Sequence, residues 1–187
     1  MLILMRHGED DPARLGGWSD AGLTTTGRAQ VRATAERLAA DFPDIRRIYA
    51  SDLRRARETA EIVGGRLGLP VTLMPAFRET NNGLLAGMPK EEAGVKYPGI
   101  WFAALGFDER YPGGESPREF EARIAAAWTE FRAETAPLDG DTLLVTHAGV
   151  INVILCHETG TPFTNKSFAF KTELAGIRTL SNETGLT

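Results

Sequence analysis

The chain opens with five consecutive apolar residues, Met1 to Met5, followed at once by the polar sequence Arg6-His7-Gly8-Glu9. An uninterrupted apolar run of this length is typical of a parallel-sheet strand that is buried on both faces. In open α/β sheets, ligands bind beyond the carboxyl ends of such strands. The pattern therefore predicts a buried strand that delivers an arginine and a histidine to a ligand site.

The rest of the pattern alternates between helical and extended periods. Apolar residues three or four apart predict helices over about residues 25–41, from a Ser51-Asp52 cap to about residue 65 or 68, over 117–136, and from 150 onward. Short apolar runs predict strands at 45–50, 69–73 and 142–146, and two closing strands at 166–171 and 175–180. This alternation predicts an α/β fold, a three-layer α/β/α sandwich with a mostly parallel central sheet and an antiparallel edge.

Residues from about 75 to 116 interrupt this alternation. The segment contains four prolines and several aromatic residues, with short helices predicted at 90–97 and 99–105. A long irregular segment in a compact domain is commonly a lid or a binding segment. We expect its aromatic residues to form a small core of their own, with a stack against a ligand as the alternative. Residues 1–187 are interpreted as a single domain that carries this lid-like excursion.

Composition excludes several classes of function. With 21 Lys and Arg against 25 Asp and Glu, the net charge of -4 gives no overall positive field that would attract nucleic acid. No apolar run approaches the roughly 18 residues that span a bilayer. The hydrophobic strand at the start leaves no room for a signal peptide, and the lone Cys156 cannot form an internal disulfide. We therefore expect a cytoplasmic protein without a membrane or nucleic-acid partner.

The predicted strand ends bring together a set of groups suited to phosphoryl transfer. Arg6 and His7 follow the first strand, Arg55 lies in a basic run after the second, and His147 follows the strand at 142–146. A solvated helix face is the alternative for the basic run. An imidazole can attack phosphorus, guanidinium groups neutralise the phosphoryl oxygens, and a carboxyl group such as that of Glu79 can protonate the leaving oxygen. These residues predict a phosphohistidine intermediate but do not say which histidine attacks.

Several segments, in order, resemble motifs of the histidine phosphatase superfamily, also called the phosphoglycerate mutase-like family. The segments are Arg6-His7-Gly8-Glu9, Gly17-Trp18-Ser19-Asp20 with Leu23-Thr24 and Gly27-Arg28-Ala29-Gln30, Ser51 to Ala60, Gly113-Gly114-Glu115-Ser116, and Val145 to Val150. The resemblance covers residues 1 to about 155. It implies the phosphoglycerate mutase-like version of the α/β sandwich.

The resemblance also implies roles for individual residues. His7 is expected to be the nucleophile that becomes phosphorylated, while Arg6, Arg55 and His147 hold the phosphoryl group. Glu79 is expected to protonate the leaving group and later to act as the base for water. Four other carboxylates lie in or near motifs and stay open as alternatives to Glu79, namely Glu9, Glu91, Glu92 and Glu115. This chemistry needs no metal ion and no cofactor.

The chain departs from the family pattern near the phosphate. The family usually has Thr or Ser after the signature Glu and an Asn a few positions later, whereas this chain has Asp10 and Asp11 in that stretch. Arg14 is assigned to replace the missing Asn contact, and Ala148 is included in the predicted phosphate-binding set. Ala148 and Asn152 also differ from the family pattern after the second histidine. We expect these changes to affect the choice of substrate more than the reaction.

The leading hypothesis is a metal-independent phosphomonoesterase that acts on a small phosphate ester through a phosphohistidine. A phosphoglycerate-type mutase is the alternative within the same chemistry, and its phosphohistidine would return the phosphoryl group to the substrate. A catalytically silent phosphate-binding or interaction module is the third hypothesis, motivated by the two carboxylates Asp10 and Asp11. The oligomeric state stays open, with a homodimer as one arrangement. His157 and Cys156 are predicted to be structural.

Overall fold

The computed structural model of the chain describes residues 1–181, which form a five-stranded sheet between two layers of helices. The strands are β1 (Leu2–Arg6), β2 (Ile45–Ala50), β3 (Val71–Leu73), β4 (Asp141–Thr146) and β5 (Ile177–Leu180). Their spatial order is β3-β2-β4-β1-β5, in which β1 to β4 are parallel and β5 pairs antiparallel with β1. The predicted fold class, a mostly parallel α/β sandwich with an antiparallel edge, is confirmed.

The helices lie close to their predicted positions. They are α1 (Thr25–Asp41), α2 (Arg54–Leu67), α3 (Lys90–Lys96), α4 (Pro117–Thr135) and α5 (Ala148–Thr159), with short 3-10 helices at Pro75–Phe77 and Gly83–Leu85. The Thr24 side chain caps α1 by accepting from the Gly27 N–H. Ser116 caps α4 in a reciprocal capping box with Glu119. Local capping therefore fixes where these two helices begin.

The first strand is buried on both faces, as its sequence predicts. Leu2, Ile3, Leu4 and Met5 are each at most 3% exposed. Because side chains alternate across a strand, Ile3 and Met5 join the core under α1 and α2, whereas Leu2 and Leu4 join the core under α4 and α5. This double burial anchors the strand whose end carries Arg6 and His7.

The helix predicted at 99–105 is wrong, because the segment forms turns instead. Gly99 has a φ of 78°, in the left-handed region that glycine adopts without strain. The carbonyl groups of Phe102 and Leu105 accept from the side chain of Asn165, and the Leu105 carbonyl also accepts from Lys166. Side chains from a distant segment therefore hold these turns in place.

The strand predicted at 166–171 is also wrong, and β5 alone closes the sheet. The Phe170 N–H donates to the side chain of Asn152 on α5, and the Lys166 N–H donates to the hydroxyl of Thr164. These side chains bind backbone donors that a sheet ladder would have paired. Of the two closing strands predicted from the sequence, only the second therefore forms within residues 166–180, as β5.

The excursion from residue 75 to 116 has a small core of its own, as predicted. Leu85, Leu105 and Tyr111 are buried together, and Tyr97 and Phe102 pack against them. This cluster lies beside the carboxyl edge of the sheet. At that edge the connection after β1 runs through α1 on one face of the sheet, whereas the connection after β4 runs through α5 on the other face. Such a switch point is where open α/β sheets bind ligands.

Within residues 1–181, no helix has both the length and the apolar character to cross a bilayer.

Candidate active site

Three neighbouring strands each place a polar side chain at the same edge of the sheet. His7 is the first residue after β1, Ser51 the first after β2, and His147 the first after β4. The two imidazole rings are tilted by 58° with centroids 5.1 Å apart. Arg55, in the first turn of α2, completes the group, and both histidines and Arg55 are buried. The structure thus brings together residues that are up to 140 positions apart in the chain, as β1 pairs with β4 in register at Arg6 and Thr146.

The ring of His7 is oriented with one nitrogen available as a nucleophile. Its Nδ1 lies 2.7 Å from the Gly8 carbonyl oxygen, which can only accept, so Nδ1 carries the hydrogen. Arg55 Nε donates to His7 Nε2 at 3.3 Å. Burial, followed by the positive charge of Arg55, holds the pKa of His7 well below its ordinary value. The imidazole is therefore neutral at neutral pH, with the lone pair of Nε2 directed at the guanidinium group.

Gly8 and Gly27 allow the signature turn to pack against the start of α1. A Cβ atom on Gly8 would lie 2.6 Å from the Gly27 carbonyl oxygen, and one on Gly27 would lie 2.1 Å from the Glu9 carbonyl oxygen. The Gly8 N–H donates to the Thr59 hydroxyl on α2 at 3.2 Å. Close backbone contact with two helices therefore fixes the peptide that carries His7.

The guanidinium group of Arg55 is held rigidly by the loop that follows β1. One terminal nitrogen donates to the Gly17 carbonyl at 2.8 Å, and the other donates to the Ser19 hydroxyl at 3.3 Å. Burial lowers the pKa of Arg55, although Asp10 opposes this effect. Because the guanidinium group stays charged even so, it provides a fixed positive charge beside His7 Nε2.

The remaining arginines of the basic run lie on the outer face of α2. Arg54 Nε donates to Glu58 at 2.9 Å, and Arg57 lies 3.7 Å from Glu61. Both pairs have the i,i+4 spacing of a solvated helix face. The run is therefore divided, with Arg55 alone directed into the site.

Asp10 places a carboxylate within this cationic cluster. Its Oδ2 lies 3.4 Å from Arg55 Nε. Burial raises the pKa of Asp10, while the charges of Arg55 and Arg6 oppose the rise. A bound phosphate would face the same guanidinium group, so the Asp10 carboxylate competes with it for positive charge. This departure from the family pattern therefore lies beside the arginine that donates to His7.

Ser51 orients His147, a role that the sequence did not reveal. His147 Nε2 lies 2.8 Å from the Ser51 hydroxyl, which also accepts from the Leu53 N–H at 3.4 Å. This geometry allows Ser51 to donate its hydrogen to Nε2, and in that tautomer the ring hydrogen of neutral His147 lies on Nδ1. Burial and then the charge of Arg55 hold the pKa of His147 well below its ordinary value.

Ser51 was predicted to cap the second helix, and this prediction is wrong because Leu53 is the capping residue of α2. The position of Ser51 directly after a strand is the signal that could have revealed its role in the site. Ser51 follows β2 as His7 follows β1 and His147 follows β4.

Two buried nitrogen atoms suit an oxyanion ligand. In residues 1–181, His147 Nδ1 and Arg6 Nε are the buried side-chain nitrogens without a protein hydrogen-bond partner. A terminal nitrogen of Arg6 donates to the Thr172 carbonyl at 2.9 Å, which anchors the guanidinium group. Buried donors are costly unless they are satisfied, and phosphate oxygens accept from such groups.

Glu79 lies between this cluster and an adjoining pocket of about 310 Å³ that it lines. Its carboxylate accepts from the Gly149 N–H at 3.1 Å and from the Thr80 N–H at 3.0 Å. Gly149 is in the first turn of α5, where backbone N–H groups favour negative charge. The Trp18 indole donates to the Glu79 carbonyl at 2.7 Å and fixes the backbone. A carboxyl group in this position can reach a leaving oxygen that points into the pocket.

The alternatives to Glu79 are engaged elsewhere. Glu9 accepts from the Thr24 hydroxyl at 2.7 Å, and Glu115 pairs with Arg123 at 2.7 Å. Glu91 and Glu92 lie in the first turn of α3, where Glu92 pairs with Lys96 at 2.6 Å. Among these carboxylates, Glu79 alone lines the pocket beside the cluster.

Arg14 and Ala148 have different positions relative to the cluster. Arg14 donates to the Gly87 carbonyl at 2.8 Å and lies 3.4 Å from Asp11, with its side chain half exposed. These contacts give no support to its assignment as a phosphate ligand, which stays a prediction. Ala148 begins α5 immediately after His147, so its backbone lies at the positive end of the helix.

In residues 1–181, no group of three or more His, Cys, Asp or Glu side chains is arranged to hold a metal ion.

The fold and this cluster define a class of protein: an α/β sandwich with two buried histidines and a buried arginine at its switch point. A model of the histidine phosphatase superfamily (branch 1) matches residues 2–185, and the chain belongs to this superfamily.

Relatives within the superfamily include both phosphatases and mutases. The chain is 34% identical over 176 residues to a glucosyl-3-phosphoglycerate phosphatase of Mycolicibacterium vanbaalenii, covering 88% of this chain and 76% of that protein. It is 34% identical over 172 residues to a probable phosphoglycerate mutase of an Enterobacter species, covering 86% and 75%. The native structure of a mycobacterial glucosyl-3-phosphoglycerate phosphatase matches with a TM-score of 0.78 at 30% identity, covering 94% of this chain and 87% of that one.

Proposed function

We propose that the protein is a phosphomonoesterase that transfers the phosphoryl group of a small phosphate ester first to His7 and then to water. The observation that carries this proposal is the neutral, oriented imidazole of His7, whose Nε2 lies 3.3 Å from the buried guanidinium of Arg55. An attacking nitrogen and the charge that stabilises the phosphoryl oxygens are thereby adjacent before substrate arrives.

In the first step, the lone pair of His7 Nε2 attacks phosphorus, and the bond from phosphorus to the ester oxygen breaks. Arg6, Arg55 and His147 are assigned to stabilise the phosphoryl oxygens, with the backbone N–H of Ala148 as a further donor. Glu79 gives its proton to the departing oxygen, which leaves as the alcohol.

In the second step, water attacks the phosphohistidine. The carboxylate of Glu79, deprotonated in the first step, accepts a proton from that water as the new phosphorus–oxygen bond forms. The phosphorus–nitrogen bond breaks, its electron pair returns to His7 Nε2, and inorganic phosphate is released. No step in this sequence is assigned to a metal ion.

The proposal includes two broader assignments. The excursion from residue 75 to 116 is assigned to cover the leaving-group side of the site, since Glu79 and several aromatic residues of that pocket belong to it. A cytoplasmic location is also part of the proposal. It is supported by the single free cysteine, Cys156, which is buried.

A phosphoglycerate-type mutase is the second candidate, favoured by the 34% identity to a probable phosphoglycerate mutase. In that case the phosphohistidine would be shielded from water and would return its phosphoryl group to the bound alcohol. The two functions share the first step, so they differ in the fate of the phosphoenzyme.

The test is phosphate release from a panel of esters, measured with a chelator present, for the parent and for His7→Ala. Because the nucleophile and its partners act as a unit, we expect His7→Ala to lose at least about a thousandfold in kcat/KM. His157→Ala is the matched control, since this exposed histidine lies at the far end of α5. Near-parent turnover by His7→Ala would contradict the mechanism. Mutase activity far above hydrolysis would favour the second candidate, and phosphate binding without turnover would favour a silent module.

A further inference from the structure

The pocket beside Glu79 has an aromatic wall contributed by two distant segments. One segment is in the excursion, and the other follows α5. Four aromatic side chains line the pocket, together with Leu15: Trp101, Phe102, Tyr111 and Phe168. Its volume of about 310 Å³ is at the lower end for small-molecule sites and suits a leaving group about the size of one substituted ring.

Hydrogen bonds between the two segments hold this wall in place. Asn165 donates to the carbonyls of Phe102 and Leu105 at 2.6 and 2.9 Å. Lys166 Nζ donates to the Leu105 carbonyl at 2.6 Å. Phe170, two residues beyond Phe168, donates its backbone N–H to the buried side chain of Asn152 on α5. The turn that carries Phe168 is therefore fixed against the one that carries Phe102 before any ligand binds.

The same pocket offers no positive charge to an anionic leaving group. Of the pocket-lining residues between positions 1 and 181, Glu79 is the one with a charged side chain. The cations just outside the lining are engaged by other groups: Lys166 by backbone carbonyls, Arg123 by Glu115, Arg14 by the Gly87 carbonyl and Asp11, and Arg55 by oxygens of Gly17 and Ser19. A carboxylate placed here would lose water without gaining a counter-charge, which is strongly unfavourable.

The mouth of the pocket exposes apolar surface. Trp101 is 40% exposed and Phe168 is 43% exposed, although both are large aromatic residues. Exposed aromatic residues that line one cavity mark a ligand-binding surface, because a ring stacked against them removes apolar area from water.

We propose that the alcohol portion of the substrate is uncharged and carries an aromatic ring or a similarly flat apolar group. This inference rests on the proposed function, because Glu79 and His7 define where the ester oxygen lies. It separates the chain from those relatives whose names specify phosphoglycerate derivatives, since such substrates bear a carboxylate. The aromatic wall, through Trp101 and Phe168, then determines specificity.

The decisive comparison uses benzyl phosphate and para-carboxybenzyl phosphate, with the uncharged amide para-carbamoylbenzyl phosphate as the control that matches the size of the carboxylate and should behave like an uncharged ester. Their leaving alcohols have similar basicity, so the esters have similar intrinsic reactivity and differ in how they bind the pocket. We expect kcat/KM to favour benzyl phosphate by at least about tenfold. Trp101→Ala and Phe168→Ala should each lower kcat/KM for benzyl phosphate by about three- to tenfold while leaving the carboxylated ester less affected. Val95→Ala, an exposed apolar residue outside the pocket, is the control and should change neither ester.

A second variant reverses the preference if the reasoning is right. Phe168→Lys adds a cation at the mouth, where the side chain is 43% exposed and a lysine can keep its ammonium group in water. We expect kcat/KM for para-carboxybenzyl phosphate to rise and that for benzyl phosphate to fall. Equal or better use of the carboxylated ester by the parent would overturn the inference while leaving the phosphatase function intact.

Failure of the phosphatase function itself has a different signature. In that case the parent would release phosphate from neither ester nor from nitrophenyl phosphate. Calorimetric binding of the two benzyl esters to His7→Ala then decides the inference separately. Tighter binding of benzyl phosphate supports the uncharged aromatic pocket, and equal binding refutes it.

Discussion

Gly149→Ala is expected to displace Glu79, the proposed proton donor, without disturbing the fold. An added Cβ atom would lie 2.4 Å from Glu79 Oε1 and 3.2 Å from both Cδ and Oε2. The atom it meets is the far end of a flexible side chain, so the carboxylate rather than the backbone will move. Alanine also favours a helix more than glycine does, so α5 will persist.

The required displacement sets the magnitude. To restore ordinary contact, the carboxylate must shift by about 1 Å, and misplacement of a catalytic group by that distance can cost about a hundredfold in rate. The shift also breaks the 3.1 Å hydrogen bond from the Gly149 N–H to Glu79. The loss should depend on the leaving group, because a good leaving group hardly needs a proton in the transition state.

The assay compares kcat/KM for an alkyl phosphate and for nitrophenyl phosphate in the parent, Gly149→Ala, Glu79→Gln and the double variant. We expect a loss of about a hundredfold on the alkyl ester and a much smaller one on the nitrophenyl ester. The double variant should resemble Glu79→Gln alone, since both changes remove the same group. Gly65→Ala on α2 is the control, because its added Cβ atom would have nothing within 4 Å.

Three results would refute this reasoning. Gly149→Ala with parent-like activity on the alkyl ester would show that Glu79 does not act from its observed position. Equal losses on both esters would move the acid role to another carboxylate. Additive losses in the double variant would mean that Gly149 and Glu79 contribute independently.

Two further predictions concern pH. The pKa values of His7 and His147 are lowered in the folded state, so the unfolded chain binds more protons than the folded chain below about pH 6.5. The free energy of unfolding should therefore fall on acidification, by up to about 1.4 kcal/mol per pH unit for each histidine. Urea unfolding at several pH values should show this slope, reduced in His147→Asn and unchanged in His157→Asn; equal slopes in all three would contradict it. Asp10→Ser should bind inorganic phosphate about tenfold more tightly at pH 8, since the competing carboxylate is removed from Arg55. That gain should shrink as the pH falls through the raised pKa of Asp10, and calorimetry showing no gain at any pH would refute the competition.

The sequence was sufficient to predict a site for phosphoryl transfer, because the residues suited to that reaction lie at the ends of predicted strands. The apolar run of β1 and the polar residues after it specify both a doubly buried strand and a site at its carboxyl end. The same logic placed His147 after β4. It extends to Ser51 after β2, although the local sequence favours helix capping for that residue.

The two segments whose predicted elements do not form have one feature in common. Residues 99–105 and 166–171 have plausible local patterns, but their backbone groups bind side chains from elsewhere in the chain, notably Asn165 and Asn152. Periodicity reports which face of an element is apolar, and it carries no information about such long-range partners. These same contacts build the aromatic wall of the pocket, so the specificity of the site lies where sequence reasoning was weakest.

The sequence by itself determined the sheet, the helices over its faces, and the set of residues suited to phosphoryl transfer, because these follow from local periodicity and from chemistry at strand ends. Only the tertiary structure decided how the groups face one another. It places Asp10 against Arg55, directs Nε2 of His7 toward that guanidinium, and joins Glu79 to Gly149. These contacts depend on packing between segments far apart in the chain, which fixes distances and burial that no local pattern encodes.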